Sequence, residues 1–312
     1  MRVLVTGGAG FIGSNFVHYL LHETEHTVLT VDALTYAGSK ENLDGVLDHQ
    51  RHEFVEGDIR DRELVEDLVS DVDAIVNFAA ESHVDRSIEG AKPFVTTNVQ
   101  GTQVLLDAAT DADIDQFLQI STDEVYGQIL NGTFSEEDPL NPRNPYAATK
   151  AGADLLAKSY ETTHDLPVVI TRTCNNYGPR QHSEKLIPKF ITNAAAGKDL
   201  PVYGDGSNVR EWIYVEDNCR ALVTVLHEGR PGEVYNIGSG EERTNLEVTE
   251  AILDAVGGLE EQIEFVEDRA GHDQRYALDT EKIEALGWQP EWSFEDGLER
   301  TVDYYLQDQA QQ

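Results

Sequence analysis

Cysteine is nearly absent from this chain. Its two residues, Cys174 and Cys219 among 312, are too few for a disulfide framework, and no clustered Cys/His set exists, so no metal is expected. Basic side chains are scarce as well: 23 Lys and Arg face 58 Asp and Glu, a formal net charge of -35. That balance repels nucleic-acid phosphates and anionic membranes, which excludes both as partners. No run of about 18 apolar residues could cross a membrane. The start, Arg2-Val3-Leu4-Val5, reads as a strand without a basic leader or cleavage site, so a reducing cytoplasm is expected. There is no internal repeat and no low-complexity segment.

At 40% hydrophobic residues the chain can bury a core, and at ~150 residues per domain its length suggests roughly two domains. The acids are spread along the whole sequence rather than gathered in a tail. A carboxylate-rich surface of that kind suits a salt-rich cytoplasm.

Apolar runs predict strands at Arg2–Thr6, Thr27–Asp32, Glu53–Glu56, Ala74–Phe78, Gln116–Ser121 and Val168–Thr173. Amphipathic stretches predict helices at Phe11–Leu21, Asp61–Val69, Phe94–Ala109 and Tyr146–Thr163. Val-, Ile- and Leu-rich strands alternating with helices indicate an α/β fold, a doubly wound parallel sheet covered on both faces. After Pro179 the alternation loosens. Helices are expected near Leu186–Ala196, Glu216–His227, Leu246–Val256, Thr280–Leu286 and Phe294–Tyr305, with a strand at Glu233–Ile237 and an irregular stretch from Gly204 to Asn208. The expected division is a nucleotide-binding domain over 1–178, rejoined by about 213–240, and a smaller C-terminal substrate lobe within 179–312.

Four constellations carry chemistry. Gly7, Gly10 and Gly13 lie between the first strand and first helix, in Thr6-Gly7-Gly8-Ala9-Gly10-Phe11-Ile12-Gly13. There they permit a tight turn, approach of a pyrophosphate and close helix–strand packing, as in Rossmann-type dinucleotide sites. Asp32 ends the second strand about 20 residues on, where a carboxylate accepts from ribose hydroxyls and repels a 2′-phosphate; NAD is preferred over NADP. Asp58-Ile59 could flank the adenine, unless Asp58 is only a helix cap. Tyr146 and Lys150 are i and i+4 on one helix face, so the ammonium is expected to lower the phenol pKa. Asp123 and Glu124, in Ser121-Thr122-Asp123-Glu124, sit together at a strand's carboxyl end. Such a pair can be driven apart in pKa and serve as acid and base, although a solvated loop is the plainer reading of the motif alone. Cys174 has no base beside it and reads as a buried small side chain.

These motifs resemble the extended short-chain dehydrogenase/reductase superfamily and, within it, the dTDP-glucose 4,6-dehydratase family. The likeness runs through Leu34-Thr35-Tyr36-Ala37-Gly38, Ala79-Ala80-Glu81-Ser82-His83-Val84-Asp85-Arg86-Ser87, Asn175-Asn176-Tyr177-Gly178-Pro179, Glu184-Lys185-Leu186-Ile187-Pro188, Arg210-Glu211-Trp212 and Asp268-Arg269-Ala270-Gly271-His272-Asp273. The Thr-Asp-Glu triplet is its most specific part. The resemblance implies that Thr122, Asp123, Glu124, Tyr146 and Lys150 are catalytic. It further implies that Phe11, Ile12, Leu34, Thr35, Phe78, Ala79, Ala80, Ser82, Thr97 and Asn176 join the glycines, Asp32, Asp58 and Ile59 around NAD. A nucleotide sugar would meet Ser82, His83, Thr122, Asn175, Lys185, Leu186, Arg210, Asn245, Arg269 and His272. For His83 a structural role stays open, as does a surface pairing of Arg210 with Glu211. Ser183 and Ala270 stand where relatives often carry proline. A homodimer is implied, packed through Phe94–Ala109 and Tyr146–Thr163 as a four-helix bundle. An NAD-dependent epimerase or dehydratase of a UDP-sugar is the nearest alternative; a non-catalytic dinucleotide-binding regulator would leave the Tyr-Lys and Asp-Glu pairs unexplained.

Overall fold

The computed structural model describes residues 1–268 and 271–311. Twelve strands run Arg2–Thr6 (β1), Thr27–Asp32 (β2), His52–Glu56 (β3), Ala74–Asn77 (β4), Gln116–Thr122 (β5), Val168–Thr173 (β6), Asn175–Tyr177 (β7), Leu200–Tyr203 (β8), Val209–Tyr214 (β9), Val234–Ile237 (β10), Glu242–Thr244 (β11) and Ile263–Val266 (β12). Seven form one parallel sheet in the order β10-β6-β5-β4-β1-β2-β3. The winding reverses between β1 and β4, which opens a crevice at their carboxyl ends. All four residues of β4 are buried, as expected where helices cover both faces of a sheet.

Helices Phe11–Glu23 (α1), Arg62–Val69 (α2), Val84–Glu89 (α3) and Lys92–Phe94 (α4) follow in order. After them come Thr102–Ala112 (α5), Pro145–His164 (α6), Leu186–Ala195 (α7), Val215–Glu228 (α8), Asn245–Val256 (α9), Glu281–Glu284 (α10) and Phe294–Gln311 (α11). The expected helix over 94–109 is not uniform: Val95–Gly101 is a π-helical segment leading into α5. The wider turn carries Asn98 inward. Its amide accepts from Glu81 N (2.8 Å) and donates to Glu81 O (3.0 Å) and Thr149 Oγ1 (2.9 Å). One buried side chain thus ties the loop after β4 to α6. Apolar periodicity cannot reveal this, because the inserted residue is polar and shifts the register.

Beyond β6 the chain builds a second core. Tyr177, Ile187, Phe190, Trp212, Ile252 and Phe294 pack together there, apart from the two clusters that sandwich the sheet. Short pairings frame it: β9 lies between β7 (parallel) and β11 (antiparallel), and β8 pairs with β12. The sequence reading left β7, β8, β9, β11 and β12 unassigned. Their sequences (NNY, LPVY, VREWIY, ERT and IEFV) are interrupted by charged, amide or proline residues and lack the continuous apolar runs that mark the main sheet. β10 returns to the main sheet beside β6, near the predicted Glu233–Ile237. The expected helix over Thr280–Leu286 shrinks to α10, closed by Gly287 at φ 92°.

Candidate active site

Two cavities meet beyond the carboxyl ends of the sheet. One, of about 370 Å³, is lined by the glycine loop, the ends of β2 and β4, and Tyr146 and Lys150. The other, of about 610 Å³, lies against the second core. His83, Gln181 and Lys185 border both.

In the first cavity the glycines are required by contact. Gly7 has φ 65°, and a Cβ there would stand 2.8 Å from the Ala79 backbone; a Cβ on Gly13 would meet Gly7 O at 2.3 Å. No larger residue fits where the strand turns into α1. Asp32 accepts from Ala9 N (2.9 Å) and Leu34 N (2.8 Å). Burial raises its pKa, and these backbone donors act the other way. Gly10, Phe11, Ile12, Asp32, Thr35, Asp58, Ile59, Phe78, Ala79, Ala80, Ser82 and Thr97 all line this cavity. Leu34 does not. Its φ of 48° turns the backbone N–H onto Asp32 while the side chain packs on the core. Asn176 is also displaced from the expected set. It follows β6 into the second lobe, donates to Cys174 O (3.1 Å) and lines the second cavity. Asp58 is not a cap, since Asp61 caps α2. Instead the Arg60 guanidinium forks onto Asp58 (2.5–3.1 Å) and lowers its pKa.

Tyr146 and Lys150 share the first turns of α6, where Asn144 caps the helix and Pro145 opens it. The expected effect of Lys150 on the phenol is not found. Lys150 Nζ donates to Ile120 O (2.5 Å), and burial lowers its pKa to about 8, opposed by Asp154. The Tyr146 phenol is instead pushed well up, by burial first and then by Glu124 and Asp123, with a hydrogen bond to Thr122 acting the other way. Spacing put the two side chains on one helix face; it carried no account of the two carboxylates opposite.

Those carboxylates occupy unlike surroundings. β5 ends in a 3₁₀ turn, Asp123–Tyr126, capped by Thr122 Oγ1 on Glu124 N (3.3 Å). Asp123 is 2% exposed. Thr122 donates to its Oδ1 (3.1 Å), and its Oδ2 has no hydrogen-bond partner. Burial first, then Glu124 and Glu211, raise its pKa well above the ordinary carboxylate value, which favours the protonated form. Glu124 faces the second cavity and accepts from Asn144 Nδ2 (2.9 Å). Thr122 and Asp123 stand beside Glu124, which lines the second cavity, and Thr122 hydrogen-bonds Tyr146, which lines the first. Asn144, missed by the sequence reading, joins the acid pair to α6, and the Asn-Pro start of that helix was its signal.

The second cavity gathers His83, Asn175, Lys185, Leu186, Arg210, Asn245 and His272. Ser82 lies in the first cavity, and its carbonyl accepts from Lys185 Nζ (3.2 Å). Arg269 lies outside the described residues, as does Ala270. Arg210 and Glu211 are both buried and form no surface pair, because adjacent strand residues point to opposite faces. Arg210 donates to the carbonyls of Val209 (2.7 Å) and Asp273 (2.9 Å) and stacks on Tyr276, 4.5 Å from the ring centre. With no carboxylate paired to it among the described residues, its charge is available to the cavity. His272 Nδ1 lies 2.6 Å from Asp268. His83 borders both cavities, 3.6 Å from Glu184, which makes it a lining residue rather than a core histidine. Cys174 is buried with its thiol pKa raised, which suits packing.

A family model described as GDP-mannose 4,6 dehydratase matches residues 4–301. The Low-salt glycan biosynthesis protein Agl12 of Haloferax volcanii is 77% identical, over 99% of both chains. The dTDP-glucose 4,6-dehydratase of Streptomyces niveus is 54% identical, over 99% of this chain and 94% of that one. Among solved structures, the dTDP-glucose 4,6-dehydratase DesIV of Streptomyces venezuelae, crystallised with NAD, superposes with a TM-score of 0.98 at 54% identity, covering 100% of this chain and 98% of that one. With the glycine turn, the Tyr146/Lys150 helix and the Asp123/Glu124 pair in place, the chain belongs to the sugar-nucleotide 4,6-dehydratase family of the extended short-chain dehydrogenases/reductases.

Proposed function

We propose that the protein is an NAD-dependent hydro-lyase that converts dTDP-glucose to dTDP-4-keto-6-deoxyglucose. One observation carries this reading: two adjacent carboxyl groups in unlike surroundings, Asp123 buried with its pKa raised and Glu124 facing the substrate cavity. An epimerase acting only at C4 needs no such pair; loss of water across C5 and C6 needs both a base and an acid.

NAD, when bound, supplies the acceptor for the C4 hydride and later the donor at C6. The glycine turn fits its pyrophosphate, and Asp32 its ribose hydroxyls. Tyr146 receives the proton of the 4-hydroxyl as phenolate, the form that the positive charge of Lys150 and of bound NAD would favour against burial and the two carboxylates, and Thr122 holds the 4-oxygen. The resulting ketone acidifies the C5 proton, which Glu124 removes. Asp123 hands its own proton to the departing 6-hydroxyl, which leaves as water. Hydride return to C6, with a proton given back to C5 by Glu124 after exchange with solvent, would complete the 4-keto-6-deoxy product and restore the cofactor, so no net reductant is consumed. Arg210, Lys185 and Asn175 hold the diphosphate through charge-assisted and amide contacts, with Arg269 and His272 beside them. The separate core around Ile187, Phe190 and Phe294 supports a smaller lobe after about residue 178, with about 213–240 returned to the first domain, where Leu278, Ile283 and Trp288 pack as well. A homodimer through 94–109 and 146–163 and a cytoplasmic location complete the reading. The name of the Haloferax relative suggests that the product feeds glycan synthesis.

Incubation with dTDP-glucose in deuterated water tests this. One deuterium should appear at C5 of a 4-keto-6-deoxy product, without added NAD and without accumulation of free NADH. Glu124→Gln should block elimination while leaving bound NAD partly reduced; normal turnover by that variant would defeat the assignment. Parallel incubations with UDP- and GDP-glucose decide the nucleoside.

A further inference from the structure

A third cavity, of about 490 Å³, lies away from the reaction centre, between α1, α8 and α11. The segment after β7 reaches into its wall. There Arg180 has φ 69°, a left-handed backbone that only a few per cent of non-glycine residues adopt. This strained turn delivers a half-buried guanidinium to the cavity wall. Asn15 fixes it: its Oδ1 accepts from Arg180 NH1 at 2.7 Å, while its Nδ2 is tied to Pro179 O (3.0 Å) and Phe11 O (2.9 Å). No carboxylate pairs with Arg180 among the described residues, although acids outnumber bases 58 to 23.

The cavity wall carries charges of both signs. Glu23, Glu216, Asp303 and Arg300 line it as well. Burial lowers the pKa of Arg180, and the groups acting most on it are Tyr304, Cys219, Tyr214 and Tyr305, none of them a carboxylate. Glu216 acts on the same Tyr214 and Cys219, and is itself raised by burial and Asp217 and lowered by Arg300. His18, on the wall with His22, is kept neutral by burial and by Arg180, with its pKa lowered to about 4. Arg180 therefore presents a fixed cation with no carboxylate paired to it among the described residues, beside neutral imidazole and phenol groups.

We propose that this cavity binds a small anion bearing a phosphate or carboxylate group, with Arg180 as its charged anchor. The fork of remaining N–H groups suits two oxygens of such a group, and Tyr19, Tyr214 and Tyr304 offer flat surface to whatever organic body it carries. The site is distinct from the diphosphate-binding end of the substrate cavity, where Arg210 stands.

Calorimetric titration of the NAD-loaded protein with inorganic phosphate, at constant potassium chloride, tests this. Two classes of site are expected, one removed by Arg210→Gln and the other weakened roughly 10-fold or more by Arg180→Gln. A parallel titration with acetate separates carboxylate from phosphate; saturable uptake of either at Arg180 supports the site. Phosphate and acetate affinities unchanged by Arg180→Gln would overturn it. Should Arg180→Gln fail to fold, the Arg210→Gln protein decides: saturable uptake of either anion, weakened by Arg180→Lys, supports the site, and its absence refutes it.

Discussion

Burying Asp123 carries a cost to folding. In the unfolded chain it ionises near the ordinary carboxylate value, whereas in the fold burial and two neighbouring glutamates raise its pKa and disfavour its charged form. A group whose folded pKa is raised stabilises fully only below its unfolded pKa, and stability falls as pH rises above that toward the folded value. Asp123→Asn removes the ionisation and nearly preserves the shape. It should therefore raise Tm, by roughly 2–4 °C for each ~1 kcal/mol recovered, and by more at pH 8 than at pH 5. Turnover should collapse in the same variant, because the amide has no acidic proton to give. A Tm gain independent of pH would show that the side chain is not held protonated. Lys150 has the opposite sense: burial lowers it to about 8, so its cost is full below pH 8 and eases as pH rises from 8 toward 10.5. The two residues illustrate what spacing reveals. Residue types and positions at the carboxyl end of β5 and in the first turns of α6 were legible because a few residue types can do this chemistry. Their protonation was not, since burial and cross-element neighbours set it.

At the scale of elements, the segment between β7 and α7 is clasped to α3. Arg86 stacks over Tyr36, 4.0 Å from the ring centre, and forks onto Glu184 at 2.8 and 3.0 Å. Tyr36, His83, Gln181, His182 and Lys185 all border the first cavity, so this clasp joins two segments of its wall. Exposed ion pairs contribute ~0–1 kcal/mol to stability, and Arg86→Ala should hardly move Tm. Its effect belongs to retention: the purified variant should lose bound NAD on gel filtration, with release roughly five- to tenfold faster, and Glu184→Gln should behave alike. Equal NAD content in the variants and the parent would remove the clasp from cofactor retention. The seven-stranded sheet was readable because its strands are apolar runs bounded by helices. The clasp was not, because Arg86 and Glu184 are ordinary surface types far apart in sequence, brought together only by the second lobe's return. The π-helical segment at Val95–Gly101 escaped for a related reason: its defining residue, Asn98, acts through hydrogen bonds that no apolar pattern encodes.

For the whole molecule, charge is the dominating quantity. Even if every basic side chain found a partner, 58 acids against 23 bases would leave 35 carboxylates uncompensated. A compact chain of this length has a radius of gyration of about 20 Å. At ~0.01 M salt the screening length is ~30 Å, so most of those charges repel one another across the molecule; at ~1 M it is ~3 Å, and only immediate neighbours interact. The close Haloferax relative comes from a halophile, where such screening is permanent. Dialysis from molar potassium chloride into dilute buffer should therefore cost helix and sheet signal in circular dichroism, recoverable on returning the salt. The loss should follow ionic strength rather than the identity of the salt, because screening acts through charge number alone. The surface network Arg2–Glu53 and Arg2–Asp71, at 2.9 and 2.5 Å, pulls the other way, since its attraction weakens as salt rises. Even with all 23 basic side chains paired in this way, 35 carboxylates would still repel one another, so repulsion decides the sign. An unchanged spectrum in dilute buffer would mean that the packed sheet outweighs the surface charge, and the acidic composition would then need an explanation other than screening.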